Sequence, residues 1–199
     1  MTYKTDQTYT TEKKKKAHGG YRTLKSYQTT TLIYDLTVEF CRTYLTDRSN
    51  PSNLSYRTID QMIQAARSGR QNIAEGSEAS SVSKKSEIKL VGVARASLEE
   101  LLVDYEDFLR QRSLSLWDKD NPKAREIRAL AYRTDRSDRS YRSYLQNPED
   151  FANCLICLIH QANYLLDKQL ESLKKAFIEE GGFTENLFRK RLERRRNEK

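Results

Sequence analysis

The most regular pattern in the chain runs from residue 58 to residue 109, and its apolar positions recur every three or four residues. Over 58–76 the apolar or small positions are Ile59, Met62, Ala66, Gly69, Ile73 and Gly76. Spacings of three and four mark one face of an α-helix, whereas a strand alternates by two. Ala and Gly on that line allow a second backbone to come close. Gly69 costs about 1 kcal/mol against Ala in a helix interior, so a packing demand is expected there. Gly76 suits a helix C-terminus, SEASSVSKKS supplies a polar turn, and Ser83 or Ser86 can cap a second helix. That helix, predicted over 84–112, carries Ile88, Val91, Arg95, Leu98, Leu102, Tyr105 and Leu109 on one line. Arg95 interrupts that seam. A guanidinium there needs a partner, because burying it alone is costly, and Glu75 at the end of the preceding helix is the expected one.

Two more helices emerge from the same periodicity. Leu24, Tyr27, Thr31, Tyr34, Val38, Cys41 and Leu45 form a heptad seam over 23–45, widened by Ile33, Phe40 and Tyr44. Phe151, Leu155, Leu158, Ala162, Leu165, Leu173 and Phe177 form the line of a helix over 149–180. Its first half is apolar on other sides too, through Ile156, Cys157 and Ile159, so either residues 113–147 or a second subunit must cover it. Gly181 and Gly182 end this helix. Phe183 is expected to fold back, and Thr184 to cap a short helix containing Leu187, Phe188 and Leu192. The predicted fold is all-α: an antiparallel up-down four-helix bundle within 21–182 (helices about 23–45, 58–76, 84–112 and 149–180). It carries a short helical suffix insertion at 113–147 and a basic C-terminal helix in the tail 183–199. Trp117 is the expected anchor of the insertion, and Pro122 stands near the first turn of its helix. Pro51, Pro122 and Pro148 all fall between helices.

The segment Asn72-Ile73-Ala74-Glu75-Gly76, succeeded by a helix containing Arg95, Leu98 and Glu99, resembles the signature of a four-helix-bundle family. That family includes proteins encoded in intervening sequences of large-subunit ribosomal RNA genes. It also includes the accessory variability determinants of diversity-generating retroelements. The resemblance covers roughly residues 22–112 and returns at 149–180; residues 113–147 and those after Gly181 resemble the suffix of a subset of the family. It implies a non-enzymatic homo-oligomer, a ring-like pentamer in the retroelement relatives, with a reverse transcriptase as partner there. The extra suffix is a departure that bears on both stoichiometry and partner.

Composition shifts attention from the helices to the segments between and beyond them. The chain is 37% hydrophobic and 32% charged, with a net charge of +8, which suits a helical protein with much surface. Residues 1–20 hold five Lys and two acids, and read as a disordered basic arm. Residues 121–147 hold Lys123 and six Arg against three acids, and residues 184–199 seven cations against three acids. These three segments together exceed the net charge by three, so the remaining chain is slightly acidic. Basic appendages favour polyanions through counterion release.

In the insertion, Arg133, Arg136, Arg139 and Arg142 recur every third residue, interleaved with Tyr132, Tyr141 and Tyr144. Arginine pairs with phosphate in a fork and stacks on bases, and tyrosine offers a stacking face. The candidate nucleic-acid contacts are therefore Arg125, Arg128, Arg133, Arg136, Arg139, Arg142 and Tyr141, with Arg189, Lys190, Arg194 and Arg195 in the tail. RNA stands ahead of DNA. Asp135 and Asp138 neutralise part of this charge. Glu100, Asp104 and Asp107, spaced four and three on the third helix, could neutralise more, within the chain or in a neighbouring subunit. Salt bridging and polyanion binding stand side by side, and a protein-interaction scaffold with no nucleic-acid partner is the alternative function.

Catalytic chemistry finds no foothold in the sequence. Glu100, Asp104 and Asp107 read as a solvated helix face, since catalytic acids need a cleft and a perturbing environment. Cys154, Cys157 and His160 have no second half-site, so no metal and no cofactor are expected. Glycine-rich phosphate loops and serine elbows are missing. Three cysteines and no signal-peptide core predict a cytoplasmic, reducing setting. The richest apolar run, CLICLIH, is too short for a membrane span.

Overall fold

Helix α2 spans Asn53–Ala79 and helix α3 spans Lys84–Gln111, joined by the tight turn the serines announce. Ser83 is the cap: its hydroxyl accepts from Ser86 N at 3.1 Å. The predicted α2 line is buried from Met62 onward, with Met62, Ala66, Gly69, Ile73 and Gly76 inside and Ile59 half-buried. Gly76 does not end the helix, however. It lies one turn inside, where a Cβ would meet Leu90 Cβ at 3.3 Å, so glycine there serves close approach to α3. The computed structural model describes residues 20–46, 53–131 and 138–198, with backbone alone at 53–55, 138, 139 and 142. Residues 1–19 of the basic arm, the loop residues 47–52 with Pro51, and Tyr132, Arg133 and Arg136 lie outside the described residues.

Among the described residues the chain is all-helical, with six α-helices and no strand. Helix α1 spans Lys25–Phe40 and runs into a π-helical turn over Cys41–Leu45. Helix α4 spans Pro122–Leu130, α5 Pro148–Glu180 and α6 Phe183–Asn197. Helix α2 lies on α3, α3 on α5, and α1 on both α2 and α5. Helix α4 and the 3₁₀ segment Asp138–Tyr144 lie on α5.

The inward face of α1 is rotated from the predicted heptad seam. Ser26, Thr29, Thr30, Ile33, Leu36, Thr37 and Phe40 are buried, while Tyr27, Thr31, Tyr34 and Val38 sit at the margin. Threonine is the reason. Its hydroxyl can bond back to the helix, as Thr30 does to Ser26 O at 3.0 Å and Thr37 to Ile33 O at 2.7 Å. A polar side chain so satisfied can be buried at little cost. At the end of α1, Phe40 is ringed by Tyr44, Tyr105, Phe108 and Phe151 at centroid distances of 4.8–5.5 Å. Cys41 is buried beside it and pushed up to about 12 by burial, as expected of a core thiol.

The surplus apolar surface of α5 is covered from within the same chain. Ile127 of α4 and Tyr141 and Tyr144 of the 3₁₀ segment are buried in the core cluster with Leu155, Ile156 and Ile159. Buried Asn153 ties the insertion down: its amide donates to Ser115 O at 2.8 Å and its carbonyl accepts from Trp117 N at 2.7 Å. Tyr44 donates to Leu145 O at 2.8 Å from the other side. Trp117 packs edge-on against Tyr144, and its ring lies 5.6 Å from Lys123 Nζ. The α5 surplus therefore carries no argument for an oligomer, because the insertion supplies the cover.

Candidate functional site

The cations of α4 begin as a local charge problem. Asn121 caps the helix and Pro122 opens it, which points Lys123, Arg125 and Arg128 outward while Ala124 and Ile127 face the core. Acids nearby answer two of the three: Lys123 bridges Asp150 at 2.6 Å and Arg125 bridges Asp120 at 2.9 Å. Arg128 donates to Lys119 O and has no carboxylate bridge among the described residues. Tyr141 has no exposed face, being 0% accessible in the core, so its ring is packing and offers no stacking platform. Sequence reading misplaces it because a tyrosine among arginines looks identical whether the local turn carries it inward or outward. The Arg139 and Arg142 side chains lie outside the described residues.

Helix α6 concentrates the tail charge. Gly181 takes φ 73°, ending α5, and Gly182 caps α6, its N–H donating to Glu185 at 2.9 Å. Thr184, the expected cap, lies inside the helix, and Phe183 is exposed instead of folded back. No α6 residue is buried. Arg189 donates to Asn186 and Arg194 bridges Glu198 at 2.8 Å. Lys190, Arg191, Arg195 and Arg196 are exposed with no bridging carboxylate among the described residues.

The motif residues do structural work. Asn72 donates to Ser68 O at 2.9 Å, and the Ser68 hydroxyl meets that of Ser97 at 2.9 Å, linking α2 to α3. Ile73, Ala74, Gly76 and Leu98 are buried. Glu75 is exposed and does not partner Arg95. Arg95 turns toward α5 instead, bridging Asp167 at 2.8 Å and Glu99 at 2.9 Å, with a side chain 36% exposed. Glu99 also accepts from Asn163 at 3.1 Å. The seam position is thus a boundary position, and the charge stays partly in water.

Between α2 and α3 lies an open groove of about 630 Å³, lined by Asp60, Gln61, Gln64, Ser68, Glu100 and Asp104, with Arg57 as its cation. The Asp104 carboxyl is raised above its ordinary value by partial burial and by its neighbours Asp107 and Glu100. Asp107 is bridged by Arg110 at 2.7 Å. Part of the acidic stripe thus belongs to a groove, a feature that spacing along one helix could not reveal.

The cysteine cluster diverges. Cys154 is buried with its thiol pushed up, Cys157 is half-buried and pushed up to about 11, and His160 is exposed. Among the described residues no group of three His, Cys, Asp or Glu is placed to hold a metal ion, and no helix is long and apolar enough to cross a membrane. No family model, curated protein or solved structure matches the chain.

Proposed function

We propose that this chain is a non-catalytic, homo-oligomeric up-down four-helix bundle that binds nucleic acid, RNA ahead of DNA, through its basic appendages in the cytoplasm. The resemblance of Asn72–Gly76 and Arg95–Glu99 to the intervening-sequence and accessory-determinant proteins supports the bundle, the oligomer and a reverse transcriptase as partner. The observation that carries the nucleic-acid part is the placement of charge. Helix α6 has no buried residue, and Lys190, Arg191, Arg195 and Arg196 stand exposed. Cations not taken up in carboxylate bridges release counterions on meeting phosphate.

The test is binding of nuclease-treated protein to labelled structured RNA and to duplex DNA across a salt titration. Tight binding that weakens steeply with salt is expected. Replacing Arg189, Lys190 and Arg196 with Gln should flatten the log–log salt slope by about 2 on single strands. No binding at low salt overturns the nucleic-acid reading.

The bridges Lys123–Asp150 and Arg125–Asp120 favour a second reading, a protein-interaction scaffold whose insertion cations serve the fold. Under it, Lys123→Gln and Arg125→Gln lower stability and leave RNA affinity unchanged.

A further inference from the structure

Helix α6 presents an apolar face that stands exposed among the described residues. Phe183, Leu187, Phe188 and Leu192 are between 44% and 63% exposed. At 100° per residue Arg191, Arg194 and Arg195 fall among them on the same half of the helix. A face both apolar and basic does not suit a second α6, because like charges would meet. It suits a surface that is apolar and acidic.

The α2–α3 groove supplies the acid, and the helix faces beside it supply apolar side chains. On α3 the exposed Val93, Glu100 and Val103 and the half-buried Asp104 succeed one another along one face. On α2 the exposed Tyr56 stands one turn from Asp60. Glu100, Asp104 and Asp60 line the groove itself, three carboxylates against the one cation Arg57. The end of α5, from which α6 leaves, lies beside the start of α3, where Glu180 bridges Lys84. Glu100 and Asp104 lie 16 and 20 residues along from Lys84, roughly 24–30 Å at 1.5 Å per residue. Among the described residues no α6 residue is buried, which leaves its apolar and basic face open to another surface.

We propose that α6 of one copy lies in the α2–α3 groove of a second copy, Arg191 and Arg195 facing Glu100 and Asp104. This rests on the oligomer of the proposed function and names its contact. The two surfaces differ, so each copy gives a helix and receives one, and the assembly is a head-to-tail ring or an open chain.

The experiment is solution mass, by light scattering on nuclease-treated protein, of the wild type and two charge-reversed variants. One is Arg191→Glu with Arg195→Glu, and the other is Glu100→Arg with Asp104→Arg. Wild type should be an oligomer that dissociates in high salt. Each variant alone should drop to the single-chain mass of 23.3 kDa. An equimolar mixture of the two should reassemble, because an acidic helix then meets a basic groove and a basic helix meets an acidic one. Reassembly also shows that both variants fold. Should the groove variant fail to fold, Asp60→Arg at an exposed position replaces it. A wild-type oligomer whose mass neither variant changes overturns the contact and leaves the oligomer standing. A helix variant that weakens RNA binding at unchanged mass assigns α6 to nucleic acid and also overturns it. A monomeric wild type at low salt sinks the oligomer itself.

Discussion

Leu98 occupies the space that a side chain at Gly69 would need: a Cβ on Gly69 would stand 2.8 Å from Leu98 Cδ2. Leu98 is fully buried, so any shift it makes must be taken up by the core around it. Gly69→Ala gains about 1 kcal/mol of helix propensity and meets an overpacking cost of about 1–3 kcal/mol. A net loss of about 1 kcal/mol in urea unfolding is expected. In a Leu98→Ala background the same substitution should stabilise, since the obstructing methyls are gone. A gain from Gly69→Ala in the wild-type background would show that α2 and α3 can slide apart freely.

Thr37 accepts from the buried Tyr105 hydroxyl at 3.0 Å while donating to Ile33 O. Thr37→Val leaves that phenol without its partner and should cost about 1–3 kcal/mol. Adding Tyr105→Phe should recover most of the loss, because no buried polar group then lacks a partner. A thermodynamic cycle on the two single variants and the double measures this coupling.

Asp104 titrates above the ordinary aspartate value of 3.8, through burial first and then Asp107 and Glu100. The folded state therefore holds the proton to higher pH than the unfolded chain does. Its contribution to stability is fully present below about pH 3.8 and is lost as pH rises through the folded value. Asp104→Asn should remove that decline, raising stability at pH 7 relative to wild type. Unfolding midpoints measured from pH 4 to 7 at a concentration that keeps the chain monomeric would check it.

Asn153 holds the insertion by its bonds to Ser115 and Trp117. Asn153→Ala should free Trp117, the chain's only tryptophan, and shift its fluorescence to longer wavelength. Uncovering Ile156 and Ile159 should also make the variant bind a hydrophobic dye. An unshifted emission maximum would mean that the Tyr144 and Lys123 contacts suffice to hold the ring.

Periodicity locates the long helices and the packing demand at Gly69, because apolar and small residues carry that signal directly, whereas Gly76 reads as a helix end because glycine serves both purposes. It fails where polarity and burial part company. The heptad pattern sets the α1 seam too far round because Thr30 and Thr37 satisfy their own hydroxyls, and a pattern of polarity counts them as outward. Proximity along the chain pairs Arg95 with Glu75, though helix α5, remote in sequence, brings Asp167 closer. The surplus on α5 is legible, and its cover narrows to two sources; Asn153 and the inward turn of Tyr141 decide between them. The groove is invisible in one dimension because Asp60 and Asp104 meet only after α2 and α3 pair. Exposure of Phe183 depends on where α6 points, which local sequence does not encode.

The ring cluster around Phe40 bears on the order in which the chain can mature. Phe40 and Tyr105 emerge early in synthesis, but Phe151 lies 111 residues beyond Phe40 and completes the cluster. Until α5 arrives, a nascent chain holding α1–α3 presents Ile33, Phe40, Leu101 and Phe108 to solvent, an open apolar trough that other chains can enter. Closure is therefore a late, long-range event, and folding should be slower than for an all-helical chain with local contacts alone. A ribosome-bound chain halted before residue 148 should be sensitive to protease throughout α1–α3 and recruit chaperones, and one released at full length should lose both traits together.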